Sequence, residues 1–325
     1  MMTVLLLLAA CAPGTADTAS FTAMDTVMSL TVWGGSGSCA RIRERAAELD
    51  KLLSSVDENS EIFALNRDGT ATLSGDTAAL VKRTLALSAE LGGSLDPTVY
   101  PAILAWGFTT GDYAVPDDST LASLAEKIDY SAVAVTGDTV TLPDGVMLDL
   151  GAVAKGYLAD AAKGILDDTG ASGAVLNLGG TILLYGQKPD RSAFRVGIAD
   201  PASPASYFGY LSLGEGVVAT SGGYERFFER DGVRYIHILD PATAKPADNG
   251  VLSVTIFTDD GAAADALSTA LFVMGVEKAE EYYRSRGGFD YVILTGDDRL
   301  YITEGIASAF TLCSGYPYTV YTVRR

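Results

Sequence analysis

The stretch "ADALSTALFVMG", residues 264–275, is apolar at almost every position of a helical repeat. A helix that is apolar all round cannot lie on a surface, so other elements must cover it on nearly every side. The polar exceptions include Asp265, Ser268 and Thr269, which stand at i, i+3 and i+4 and share one helix face. A buried acid needs a partner. Asp265 has two readings: the N-cap of its own helix, or a ligand of a hard cation. The second also accounts for the two hydroxyls, because Asp, Ser and Thr present only oxygens, the donor set that suits Mg²⁺.

The layers that cover this helix are expected from the rest of the pattern. Residues 21–33, "FTAMDTVMSLTVW", alternate as a strand. Helices are expected over 39–54, over 77–91 before Gly92-Gly93, over 152–168 before Gly170, over 262–274 and over about 276–286. Strands are expected at 173–178, 182–186, 194–199, 208–213, 233–239, 252–258, 289–295, 299–303 and 318–323. Strands clustered between helices favour an α+β fold over a regular βαβ series. The 325 residues suit one large domain or two intimate ones, and 48% hydrophobic content supports a sizeable core.

With 41 acids against 23 bases, a net charge of −18 and no basic run, a nucleic-acid partner is excluded. An anionic ligand on so acidic a chain calls for a bridging metal ion. The segment "MMTVLLLLAAC" reads as a targeting signal. Leu8-Ala9-Ala10-Cys11 resembles a bacterial lipobox, although no Lys or Arg precedes it. The resemblance implies a lipidated Cys11 and anchoring to the outer face of a bacterial cell membrane. Residues 12–20 follow as a tether, so the expected division is 1–20 for signal and tether and 21–325 for the folded domain. The remaining cysteines, Cys39 and Cys313, form either a disulfide or two free thiols.

Several segments carry chemistry. "LDLGAVAKGYLADAA", residues 148–162, reads as strand end, turn and helix, with Lys155 in the first turns of that helix. A cation where the helix N-terminus is already partly positive suits an anion, phosphate above all. Gly179-Gly180 and Thr220-Ser221-Gly222-Gly223 each follow a strand and allow close backbone approach. Asp96 precedes a proline in "LGGSLDPTVYP", and Trp106 and Phe108 stand nearby in sequence. The one histidine, His237 in "YIHILDP", rules out histidine-based zinc sites and is a candidate general base or orienter beside Asp240. No GxSxG elbow, P-loop or GxGxxG is present.

In this order, "AMDTVMSLTVW", "DENSEIFALN", "GGSLDPTVYPAILAWGF", "LDLGAVAKGYLAD", "LNLGGTI", "VATSGGYERFF", "HILDPATAKP" and "ADALSTALFVMG" resemble the ApbE family of FAD:protein FMN transferases. The resemblance implies an ApbE-like, T-fold-like architecture with mixed, largely antiparallel sheets, flanking helices and a flavin cleft between lobes. It implies FAD as substrate, Mg²⁺ as cofactor, and FMN transfer to a threonine hydroxyl of a partner protein, a subunit of a membrane redox complex. Carried over by position, Met24, Ser94, Leu95, Asp96, Asp149, Lys155 and Leu239 would contact FAD. The Ala152 carbonyl, Asp265 and Thr269 would hold the metal with Ser268 close by; the candidate catalytic residues are His237 and Asp265, since the base for the acceptor hydroxyl is either His237 or a carboxylate near the metal. Val56 stands where many members carry an aromatic, which keeps FAD hydrolysis to FMN and AMP as an alternative outcome. A lipoprotein that only stores FAD is the other alternative.

Overall fold

The computed structural model describes residues 16–325. The lipobox and Cys11 lie outside the described residues. Residues 17–20, expected as tether, are already strand. β1 (Asp17–Ala23) and β2 (Thr26–Gly34) pair antiparallel with Ala23 opposite Thr26. The single strand expected over 21–33 is therefore a hairpin. Its signal is a phase change: the buried positions are odd up to Ala23 and even from Met28 through Leu30 to Val32. Met24 and Asp25 form the two-residue turn with φ of 50° and 56°. Such a turn fits the twist of the strands but prefers Asn-Gly, so Met-Asp holds it under strain.

Seven further strands extend the same sheet: β3 (Ala171–Asn177), β4 (Thr181–Gly186), β5 (Gly216–Gly222), β6 (Val251–Thr258), β7 (Asp290–Thr295), β8 (Arg299–Thr303) and β9 (Thr319–Val323). Their order in space is their order in the chain. Every neighbouring pair is antiparallel except β8 and β9.

Side chains alternate between the two faces of a strand. Leu183, Val217, Ala219 and Ile293 face one core, where they meet α1 (Ser38–Leu53), α2 (Gly75–Glu90), α3 (Ala154–Thr169) and α4 (Gly261–Arg286). Leu184, Val218, Val292 and Leu294 face a second core, closed by a three-stranded sheet of Phe194–Asp200, Ser203–Leu213 and Phe310–Leu312. The α+β fold with mixed, largely antiparallel sheets and flanking helices is as expected. α4 lies innermost, with Ala264, Ala266, Ala270 and Leu271 at 0% exposure, as its all-round apolar sequence demands. It breaks at Gly275, whose φ of 75° and ψ of 173° separate the two helical segments expected.

A third core joins residues 102–121 to 228–244: Ala102, Trp106, Phe108, Leu121, Phe228, Leu239 and Ala244. Its rings interlock, with Phe228 stacked on Tyr235 at 5.0 Å and Trp106 tilted against Tyr235 at 5.3 Å. The Trp106 indole N–H donates to the Ala244 carbonyl at 2.8 Å. This small lobe carries His237. Cys39 and Cys313 are both free thiols, so the disulfide alternative is not realised. Burial and the neighbouring Asp17 push the Cys39 thiol up to about 12.

Candidate functional site

The site grows from the place where α3 and α4 begin. α4 starts four residues before Asp265, and its N-cap is Asp260, whose side chain accepts from the Ala263 N–H at 2.9 Å. Asp265 is therefore not the cap of its own helix. It points across to α3, where its Oδ2 accepts the Gly156 N–H at 2.6 Å. Its Oδ1 accepts the Thr181 hydroxyl at 2.5 Å. Asp265 is only 6% exposed, and burial raises its pKa, opposed by the positive charge of Lys155 and by the two hydrogen bonds. A carboxylate so placed favours a cation beside it.

The oxygens next to Asp265 are hydroxyls. Ser268 Oγ donates to the Asp265 carbonyl at 2.8 Å and lies 2.8 Å from Ser221 Oγ. Thr269 Oγ1 lies 3.2 Å from the same Ser221 Oγ. The four-residue spacing of Asp265 and Thr269 thus does bring their oxygens to one face, and β5 adds Ser221. Among the described residues no group of three or more His, Cys, Asp or Glu forms a metal site. One carboxylate, several neutral oxygens and a free backbone carbonyl do fit Mg²⁺, which completes its shell with water and substrate phosphate oxygens.

Lys155 stands in the first turn of α3, half-buried, and makes no ion pair among the described residues. Its charge reaches Asp265, Glu225 and His237. Burial raises the Glu225 pKa, and Lys155 and Arg226 pull it back. Glu225 Oε1 lies beside Gly180, whose φ is +92°. Arg226 approaches Asp25 at the strained hairpin tip, 3.7 Å away. Gly179 packs on Thr26, and a methyl group there would collide with it. The two Gly-Gly motifs differ: Gly179 and Gly180 take positive φ, whereas Gly222 and Gly223 do not and instead admit the side chains of Tyr224 and Ile236.

His237 comes from the aromatic lobe within reach of the charges of Lys155 and Arg226, edge-on to Phe108 at 6.4 Å. Its Nδ1 lies 3.1 Å from the Arg226 carbonyl. A carbonyl only accepts, so Nδ1 carries the proton and Nε2 the lone pair. Burial pushes the imidazole down to about 4; the hydrogen bond to the Arg226 carbonyl opposes this, and the charges of Arg226 and Lys155 add to it. It is neutral at physiological pH.

The other expected ligand contacts form a second cluster. Asp149 Oδ2 accepts the Ser55 hydroxyl at 2.9 Å and Oδ1 the Gly151 N–H at 2.8 Å, while the Asp149 N–H donates to the Pro97 carbonyl at 2.9 Å. Asp149 thereby ties the loop of Val56 to the turn that leads into Lys155. Ser94 is half-buried and Leu95 is core. Asp96 holds its own loop: it accepts from the Thr98 N–H and hydroxyl at 2.8 and 2.6 Å and from the Tyr130 N–H at 2.9 Å. Leu239 is buried in the aromatic lobe. Val56 is 55% exposed and borders a cavity of about 430 Å³ with Ser55, Phe63, Tyr100, Thr109 and Met147.

Sequence reasoning did not single out Thr181, Glu225, Arg226 or Asp25. All four lie inside or beside motifs already noted, but only the tertiary structure sets Thr181 on Asp265, Glu225 within reach of the charge of Lys155, and Arg226 beside Asp25.

The ApbE family model matches residues 24–293. A FAD:protein FMN transferase of Treponema pallidum is 36% identical over 280 residues, covering 79% of this chain and 76% of that protein. One from Vibrio cholerae is 32% identical over 246 residues, covering 71% and 73%. Among solved structures, the ApbE protein of Thermotoga maritima superposes with a TM-score of 0.81 at 31% identity, covering 92% of this chain and 97% of the other. The flavinyl transferase ApbE of Pseudomonas stutzeri gives 0.77 at 25% identity, covering 87% and 92%.

Proposed function

The chain belongs to the ApbE family, and from that premise we propose that it transfers FMN from FAD to a threonine hydroxyl of a partner protein and releases AMP. The observation that carries this reading is that the charge of Lys155 reaches both His237 and Asp265, with the hydroxyls of Ser268, Thr269 and Ser221 gathered beside Asp265.

The reaction needs a pyrophosphate held still, a hydroxyl brought in line and a place for its proton. Lys155 and the first turn of α3 bind the pyrophosphate. The loop of Ser94, Leu95 and Asp96, with Asp149, Met24 and Leu239, contacts the rest of FAD. Asp265, Thr269 and the Ala152 carbonyl, with Ser268 beside them, hold Mg²⁺, which when bound offsets negative charge on the phosphate oxygens. The acceptor hydroxyl oxygen attacks the FMN phosphorus, the bond from that phosphorus to the bridging oxygen breaks, and AMP leaves. His237 Nε2 takes the hydroxyl proton. The Arg226 carbonyl fixes the tautomer that makes this possible, and the aromatic lobe fixes the ring.

The same reading places the enzyme on the outer face of a bacterial cell membrane through a lipid on Cys11, beside an acceptor subunit of a membrane redox complex. The lipobox-like Leu8–Cys11 supports it. Replacing Cys11 by Ser should release the protein into the soluble fraction.

The deciding test mixes the protein with FAD, Mg²⁺ and a candidate acceptor and reads the products by mass spectrometry. An acceptor heavier by one FMN, with AMP released, supports transfer. Free FMN and AMP with every acceptor tried would instead favour hydrolysis, and FAD left unchanged would favour storage.

A further inference from the structure

α3 and α4 carry one pattern at the turn where they meet: "GYLAD" at 156–160 and "GAAAD" at 261–265. The two glycines touch. A methyl group on Gly156 would collide with the Gly261 carbonyl, and one on Gly261 with the Gly156 carbonyl. Each aspartate reaches the other helix's glycine. The Gly156 N–H donates to Asp265 Oδ2 at 2.6 Å, and the Gly261 N–H donates to Asp160 Oδ1 at 2.7 Å. Two helix N-termini face to face bring like partial charges together. The two carboxylates between them offset that repulsion and satisfy donors that a helix end leaves free.

The symmetry fails at the second oxygen. Asp160 Oδ2 accepts the Ala262 N–H at 3.0 Å, so both Asp160 oxygens hold the backbone of α4. Asp260 takes the next two N–H groups, those of Ala263 and Ala264, which completes the first turn. Among the described residues, Asp265 Oδ1 meets only the Thr181 hydroxyl. A hydroxyl can rotate and is itself an oxygen ligand, so Asp265 stays open to a cation where Asp160 does not. On α3 a regular helix would direct the Gly156 N–H to the Ala152 carbonyl. Here that N–H goes to Asp265, and among the described residues the Ala152 carbonyl accepts no backbone hydrogen bond. One contact thus places a carboxylate and frees a carbonyl at the same spot.

We propose that Asp160 is a positioning residue for the metal site: by clasping the first turn of α4 it keeps Asp265 on Gly156 and the Ala152 carbonyl free. The proposal rests on the metal reading given above. It assigns Asp160 no contact with substrate.

ADP offers the pyrophosphate of FAD without a flavin to transfer. Calorimetry on the full chain gives its ADP affinity with and without Mg²⁺, for the natural protein, Asp160→Ala, Asp160→Asn and Leu166→Ala. Leu166 is buried in the last turns of α3, so its truncation loosens that helix away from the clasp. Mg²⁺ should tighten ADP binding to the natural protein. Asp160→Ala should lose about tenfold of that tightening, the usual effect of removing an outer support of a metal ligand, with metal-free ADP affinity unchanged. Asp160→Asn, which keeps one acceptor, should fall between, and it carries the test should the alanine variant not fold. Leu166→Ala should lower Tm and keep the Mg²⁺ effect. Retention of the full Mg²⁺ effect in the Asp160 variants, or an equal loss in Leu166→Ala, overturns the positioning role alone. Absence of any Mg²⁺ effect in the natural protein overturns the metal reading and this inference with it.

Discussion

The α3–α4 junction and the aromatic lobe both lie within reach of the charge of Lys155 and are built by different physics. The junction joins two backbones through glycine contact and three backbone N–H bonds to carboxylates, those of Gly156, Gly261 and Ala262. Each bond has one donor and one geometry, and a lost partner leaves a buried polar group unmet. The lobe rests on Trp106, Phe108, Phe228 and Tyr235, whose ring packing spreads the energy over many small contacts. The difference teaches where damage should appear. Junction changes should strike chemistry out of proportion to stability, and lobe changes the reverse.

The sharpest break is Asp265→Ala. The chain should still fold but with a lowered Tm, because the Gly156 N–H and the Thr181 hydroxyl lose their acceptor, at about 1–3 kcal/mol each. Mg²⁺-dependent turnover should fall by about 10³-fold or more, roughly 4 kcal/mol of transition-state stabilisation. Full activity in steady-state assays would remove the metal assignment.

Phe228→Ala should show the opposite profile. Truncating a ring that is 8% exposed should cost about 3 kcal/mol of stability, read as a lowered Tm. An unchanged Tm would mean that the lobe is not one packed unit.

His237 couples the two regions. His237→Gln should reduce kcat about 10²-fold while FAD affinity holds, as loss of a general base does. The histidine also gives the lobe a pH signature. Its folded pKa of about 4 lies below the 6.5 of an ordinary imidazole, so the unfolded chain binds the extra proton first. The stability it contributes is whole above pH 6.5 and drains away as pH falls toward 4. Acid titrations of the natural protein and His237→Gln should diverge in that window; superimposable curves would show that the ring is not held neutral.

Lys155→Ala should weaken FAD binding about tenfold, near 1.4 kcal/mol, with little change in Tm. An unchanged dissociation constant would refute its role at the phosphate. The smallest effect is expected from Arg226→Ala, because its pair with Asp25 spans 3.7 Å between side chains 53% and 82% exposed. Such pairs contribute about 0.5 kcal/mol or less, so chemical denaturation should barely register the change.

The layered α+β fold and the buried α4 were legible because burial writes itself into periodicity. That Asp265, Ser268 and Thr269 share one helix face was legible for the same reason, since helical spacing fixes which residues share a side. Met24–Asp25 was misread as mid-strand; its marker, a change of alternation phase without an Asn-Gly, is weak on its own. Glu225, Arg226 and Thr181 left no local mark of their role.

The amino-acid order by itself determined the helix and strand periods, the faces they bury, and the glycines where chains come close, because these follow from interactions within a few residues. Only the tertiary structure decided that Asp265 caps α3 rather than α4, that Asp160 answers it, and that His237 meets the charge of Lys155. Those contacts join residues 80 to 110 positions apart, and hydrogen-bond partners over such separations are chosen by packing, which no local pattern records.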